Sequence, residues 1–139
     1  MNMSSKNLEN LVKTGMLKIE PFNQIEFDGL INSGKLRLHD AENEKLSYES
    51  RFDLAYNASH AFALAALRKK GYRSTKRYII FHVLPDTLGV GPEIWRVLAK
   101  CHDNRNAVEY EGYSEVDNQL LSELITVVRK LLEILDISK

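Results

Sequence analysis

Between Ser47 and Lys70 the chain carries a helix signature that constrains everything around it. Phe52, Ala55, Tyr56, Ser59, Phe62, Ala63 and Ala66 recur at steps of three and four. That repeat gathers side chains onto one buried face of an α-helix. Five alanines fall between Ala58 and Ala66, so another backbone can approach closely. Ser47 or Ser50 is placed to cap the first turn. Arg68, Lys69 and Lys70 precede Gly71, the cation-rich last turn and glycine stop that a helix dipole favours.

The flanking sequence reads as further helices. Ser4–Thr14 predicts a short first helix with a Leu8, Leu11 and Val12 stripe, ended by Gly15; Met16–Pro21 is read as a linker. A second helical region spans Phe22 to Leu46, with Leu36, Leu38, Ala41 and Leu46 on its apolar face. An interruption is expected at Asn32–Ser33–Gly34, where three poor helix formers meet. Tyr78–Leu84 has sheet-favouring residues but no partner run, so it is read as a short helix ended by Pro85, with a loop over Asp86–Gly91. Pro92 suits the first turn of the next helix, and Gly112 its end. Ser114 is expected to cap the last helix, where Leu121, Leu124, Val128, Leu131 and Leu135 step by three and four. The fold class expected is all-α, an up-and-down bundle of five or six helices. The alternative is an α+β domain with a small sheet at Tyr78–Leu84.

Length and composition narrow the function classes. At 139 residues the chain is read as a single domain over 1–139, with the N-terminal helix and linker over 1–20 and the core bundle over 21–139. A chain of this size buries roughly 70% of its unfolded surface and folds without a metal or a disulfide. The formal net charge is zero, which gives no global attraction to nucleic acid. Cys101 is the single cysteine, excluding an intrachain disulfide and any multi-cysteine zinc site. No apolar run approaches the roughly 20 residues of a membrane span. The first 15 residues lack the apolar core of a signal peptide. A cytoplasmic protein with no membrane partner is expected.

The stretch Cys101–Tyr113 is where chemistry is expected. Projecting Ile94–Tyr110 at roughly 100° per residue sets Leu98, His102, Arg105 and Glu109 in one stripe, with Asn106 beside it. An arginine aligned with a core-facing leucine belongs in a seam or at a cleft edge. Two readings stand for Arg105: a phosphate-binding or charge-stabilising group, or a structural arginine paired with Glu109 or with an aspartate on a neighbouring helix. Asn106 either orients the site or satisfies a helix seam. Tyr110 and Tyr113 either line the same cleft or sit at a dimer rim. His102, one turn before Arg105, is a candidate proton carrier or a seam histidine. Asp53, Asn57 and His60 form a row at i, i+4 and i+7, which either faces the same cleft or, the preferred reading, is a polar seam. His82 is expected in the core, hydrogen-bonded, and His39 at the surface. No two histidines have metal-ligand spacing on one helix, so no metal and no cofactor is expected. Cys101 is read as a small buried residue.

Arg68, Lys69, Lys70, Arg73, Lys76 and Arg77 place six cations in ten residues with no acid. They read either as a contact strip for RNA phosphates or as a solvated helix end. The opposite bias follows at Glu109–Glu123, with five acids and no base. That run argues against tight non-specific nucleic-acid binding there, and could dock the basic strip of another copy.

Two pieces together resemble the HEPN superfamily of small all-helical domains. Arg51–Tyr72, RFDLAYNASHAFALAALRKKGY, resembles the family's long alanine-rich helix. Arg105–Tyr110, RNAVEY, resembles its arginine–polar–x3–histidine motif. The resemblance covers roughly Leu36–Leu132. It implies a homodimer that pairs two arginine motifs across a cleft. It also implies one of two functions. One is a metal-independent endoribonuclease of a toxin–antitoxin or defence system. The other is a non-catalytic interaction module pairing with a nucleotidyltransferase-type antitoxin or a defence-system protein. The implied catalytic set is Arg105, Asn106, Tyr110 and His102. Tyr110 occupies the motif's histidine position, and a phenol with a pKa of about 10 is a poor base at neutral pH, although it can donate a hydrogen bond or stack on a base.

Overall fold

The computed structural model describes residues 3–111 and 118–137, with side chains over 6–105 and 118–136. Among them the order is α1 (Met3–Lys13), β1 (Lys18–Ile19), α2 (Gln24–Ala41), α3 (Tyr48–Lys69), β2 (Tyr72–Arg73), α4 (Arg77–His82), α5 (Leu84–Leu88), α6 (Pro92–Glu111) and α7 (Asn118–Ile137). The protein is an all-α bundle, and no described helix is long and apolar enough to cross a membrane.

Helix α3 is the axis of the bundle. Ser47 caps it, its hydroxyl accepting from the Ser50 amide at 3.2 Å. Gly71, at φ 91°, turns the chain away in a conformation that L side chains rarely adopt. The sequence predicts one buried face. Instead, no residue from Asn57 to Lys69 is fully exposed, because α2, α4, α5, α6 and α7 all pack against α3. A helix covered on all sides must be apolar or small nearly all round, which is what its alanines supply.

Helix α2 runs without a break through Asn32–Ser33–Gly34. Asn23 caps it, accepting from the Glu26 amide at 2.9 Å. Its buried stripe is Phe27, Ile31, Gly34, Leu38 and Ala41, at steps of four, three, four and three. Of the expected face, Leu38 and Ala41 are buried, whereas Leu36 points to solvent and Leu46 lies beyond the helix end. Gly34 is no breaker. It sits where α2 crosses the ring of Phe62, and a methyl group there would press on three ring carbons at less than 3.0 Å.

The linker Met16–Pro21 contains β1, which pairs antiparallel with β2 in the register Lys18↔Arg73 and Ile19↔Tyr72. Two residues per strand are too few to leave a periodic signal. Tyr78–Leu84 is helical for most of its length. Pro85 does not terminate it but occupies the first turn of α5, where a missing N–H costs nothing. Part of the expected loop Asp86–Gly91 is therefore helix. The expected Ser114 cap lies outside the described residues. Helix α7 buries Leu121, Leu124, Val128, Leu131 and Leu135 as its spacing predicts.

Phe62 is fully buried and cannot retreat. Gly34→Ala is expected to destabilise the fold by about 1–3 kcal/mol, although alanine favours a helix over glycine by roughly 1 kcal/mol. Denaturant unfolding checks this, and a variant as stable as the parent would show that the crossing can open without loss.

Candidate functional site

A meeting of polar groups with aromatic rings lies where α3, α4 and α6 converge. Tyr56 falls on the buried face of α3, as its spacing predicts, and its ring is fully buried. A buried phenol needs a partner for its hydroxyl, and Tyr56 Oη finds His102 Nδ1 on α6 at 2.9 Å. Arg105, one turn further along α6, lays its guanidinium 5.4 Å from the Tyr56 ring centre. It forms an ion pair with Asp53 on α3. Arg77, at the start of α4, brings a second guanidinium to 5.6 Å from the same ring.

Burial raises the Tyr56 pKa, and a hydrogen bond from Arg77 and the two guanidinium charges only partly oppose it. The phenol therefore stays protonated at neutral pH. With Arg77 donating to its oxygen, its own hydrogen is assigned to His102 Nδ1, which leaves Nε2 as the ring nitrogen not engaged by Tyr56. His102 is half-buried and held by rings as well: Tyr78 at 6.2 Å and Phe81 at 6.3 Å. Arg105 retains 21% of its side-chain exposure and Asp53 retains 53%. The pair thus sits at a rim, screened below by Tyr56 and open above.

The residues singled out from the sequence fall into three groups. His102 and Arg105 meet at this rim, Arg105 in a seam as its phase predicts. Of the two structural partners expected for Arg105, the aspartate on a neighbouring helix is the one described. The side chains of Asn106, Glu109, Tyr110 and Tyr113 lie outside the described residues. The row on α3 does approach the rim: Asp53 joins Arg105, Asn57 donates to Asp53 at 3.4 Å, and His60 turns its ring onto Phe81.

The six cations of Arg68–Arg77 do not form one strip, and this corrects the RNA-contact reading for several of them. Arg68 is 2% exposed. It donates to Glu26 at 2.6 Å, and to the backbone oxygens of Glu20, Pro21 and Tyr72 at 2.7–3.2 Å. Its guanidinium is consumed in joining the ends of α2 and α3 and cannot reach an outside phosphate. Arg73 is held by Glu20 and Glu26 in the same cluster. The hydrogen bonds from Arg68 and Arg73 keep the Glu26 carboxyl below its ordinary range. Lys69 lies over the Phe27 ring at 5.4 Å. Lys70 and Lys76 are exposed. Of the six, Arg77 is the one described beside Tyr56 and the Arg105 rim.

His82 is exposed rather than in the core, between Tyr78 and Trp95. His39 is exposed, as expected. Burial pushes the Cys101 thiol up to about 12, aided by the charge of Glu123, so it is no nucleophile at neutral pH. No group of three His, Cys, Asp or Glu side chains is arranged to hold a metal ion among the described residues. Sequence reasoning missed Tyr56 as a site member; Asp53 was legible through one of the two readings of its row, the one that faces the cleft. Tyr56 carried a signal, the one hydroxyl-bearing ring in an otherwise apolar buried stripe.

Compared with known proteins, the chain matches no family model, no curated protein and no solved structure.

Burial, with the nearby Arg77 charge, pulls the His60 pKa from 6.5 to about 4. In the unfolded chain this histidine takes up a proton near its ordinary pKa of about 6.5. Its contribution to stability is therefore complete above pH 6.5 and is lost as pH falls toward 4. Thermal melts across that window should show His60→Gln losing less stability than the parent on acidification; parallel curves would refute the burial effect.

Proposed function

We propose that this chain is a HEPN-like domain whose Arg105 rim engages the phosphate of an RNA or nucleotide, working as a homodimer. The observation that carries the reading is the convergence of two guanidiniums, Arg77 and Arg105, on buried Tyr56, with His102 hydrogen-bonded to the same residue. Two cations from different helices set over one ring are costly to hold together without an anion. Asp53 offsets part of that charge, and an incoming phosphate would offset the rest more fully, since it accepts from both arginines.

Cleavage at this rim draws on the same parts. Arg105 and Arg77 stabilise the charge that builds on the phosphorane as a ribose 2′-hydroxyl attacks phosphorus. The 2′-hydroxyl gives its proton to solvent water, and the departing 5′-oxygen takes one from Nε2 of His102, which draws its second proton from solvent, because Nδ1 is held by Tyr56. Tyr110 and Asn106 complete the motif that the resemblance assigns. A metal-independent, slow endoribonuclease of a toxin–antitoxin or defence system is the reaction class that fits.

One observation favours a second reading. Arg105 already has a carboxylate partner in Asp53, as an interface pillar would. In that case the chain is a non-catalytic module pairing with a nucleotidyltransferase-type antitoxin or a defence-system protein.

Two variants separate the readings. Arg105→Ala should leave the melting temperature close to that of the parent, lower RNA cleavage or growth inhibition about 10²–10³-fold, and reduce the salt slope of RNA binding by about 1. Asp53→Ala releases Arg105 and should tighten RNA binding measured by fluorescence anisotropy. RNA binding and processing unchanged in both variants would eliminate the phosphate role and leave the interaction module.

A further inference from the structure

Beside the arginine rim, four rings form a continuous path across the surface. His102 touches Tyr78 at 6.2 Å between ring centres. Tyr78 stacks on His82 at 5.6 Å with 18° between planes. His82 meets Trp95 edge to face at 5.9 Å. Tyr78 is 51% exposed, and His82 is exposed as well. Large rings are rarely left in a solvent-facing row without a use, because each loses apolar contact it would have in a core. The path ends in a groove of about 390 Å³ whose lining includes His82, Pro85, Val90 and Trp95. That lies within the roughly 300–1,000 Å³ usual for small-molecule sites.

The polar groups of the groove differ in kind from those of the rim. Asp86 lines it and accepts a hydrogen bond from Asn7 at 2.6 Å. A carboxylate there repels phosphate but accepts from exocyclic amino groups of a base. The surface is thus divided: two guanidiniums at one end, an aromatic groove with a carboxylate at the other, and stacked rings between. A nucleotide strand has the matching division of anionic backbone and flat, amino-bearing base. Single-stranded RNA is read by stacking unpaired bases on aromatic side chains.

We infer that the groove lined by His82, Pro85, Val90 and Trp95 seats an unpaired, amino-bearing base of single-stranded RNA whose backbone runs on along the rings to meet Arg77 and Arg105. This rests on the phosphate reading above and adds a base seat, with cytosine favoured over uracil through Asp86.

Trp95 is the single tryptophan of the chain, so its emission reports the groove directly. The full chain is titrated with oligo(C), oligo(U) and an abasic deoxyribose-phosphate oligomer, each of about eight residues. Oligo(C) should quench Trp95 and bind more tightly than oligo(U), and Asp86→Asn should remove that preference. Tyr78→Ala and His82→Ala should each weaken oligo(C) binding about 10-fold and leave abasic binding unchanged; Tyr78→Phe should restore oligo(C) binding, which a folding defect would not allow. If oligo(C) binds through Arg105 while Trp95 emission and the two alanine variants show no effect, the base seat is wrong and the phosphate site stands. If neither oligomer nor the abasic chain binds in an Arg105-dependent way, the phosphate reading fails and the base seat falls with it.

Discussion

The fold depends on α3 being enclosed. Once a helix is covered on every side, each of its polar side chains must find a partner or cost the fold heavily. This single requirement explains features that otherwise look unrelated. Gly34 lets α2 come down onto Phe62. Ser59 returns its hydroxyl to the Tyr56 carbonyl at 2.6 Å. Tyr56 reaches His102, and Arg68 collects three backbone oxygens and a carboxylate at the helix end. The short β1–β2 ladder belongs to the same solution, because it holds Glu20 and Tyr72 where Arg68 needs their carbonyls.

The candidate site is a product of that enclosure. Tyr56 is in the core for the sake of its ring, and its hydroxyl forces a polar partner onto α6. His102 supplies it, and the helix then places Arg105 one turn further, over the same ring. Arg105 in turn meets Asp53, one turn before Tyr56 on α3. A chain of local necessities runs from a buried ring to an exposed cation. The last member is the one with chemistry to spare, since it lies at the rim where solvent and ligand can enter.

Much of this architecture was legible because it obeys a period. The α3 stripe, its serine cap and its glycine stop, and the leucine ladder of α7 all follow from spacing and capping chemistry. Features outside a period were not legible. Gly34 looked like a breaker, since propensity sees the missing side chain and not the Phe62 ring that fills its place. The β ladder is too short to show, and Pro85 gave the same signal whether it ended α4 or began α5. For the site, the projection of α6 aligned His102 with Arg105 correctly. It could not supply Asp53 or Arg77, whose proximity depends on how three helices cross. His82 was misplaced because an apolar neighbourhood in sequence, Ile79 to Leu84, does not fix which way one residue of a short helix turns.

The arginines show why charge counts alone mislead about nucleic-acid binding. Arg68, Arg77 and Arg105 carry the same group, yet differ in what surrounds it. Around Arg68, itself 2% exposed, are three backbone oxygens and the carboxylates of Glu20 and Glu26, so removing it would take a donor from several acceptors at once. Arg105 holds an aspartate that stays half in water and can be solvated without help. Arg77 sits over a ring and donates to that ring's hydroxyl oxygen, which takes up only part of its five N–H donors. Exchange of a partner is cheap for the last two and prohibitive for the first. A basic cluster therefore resolves into scaffold and site by a physical criterion: whether the groups a cation holds can turn to water when a phosphate arrives.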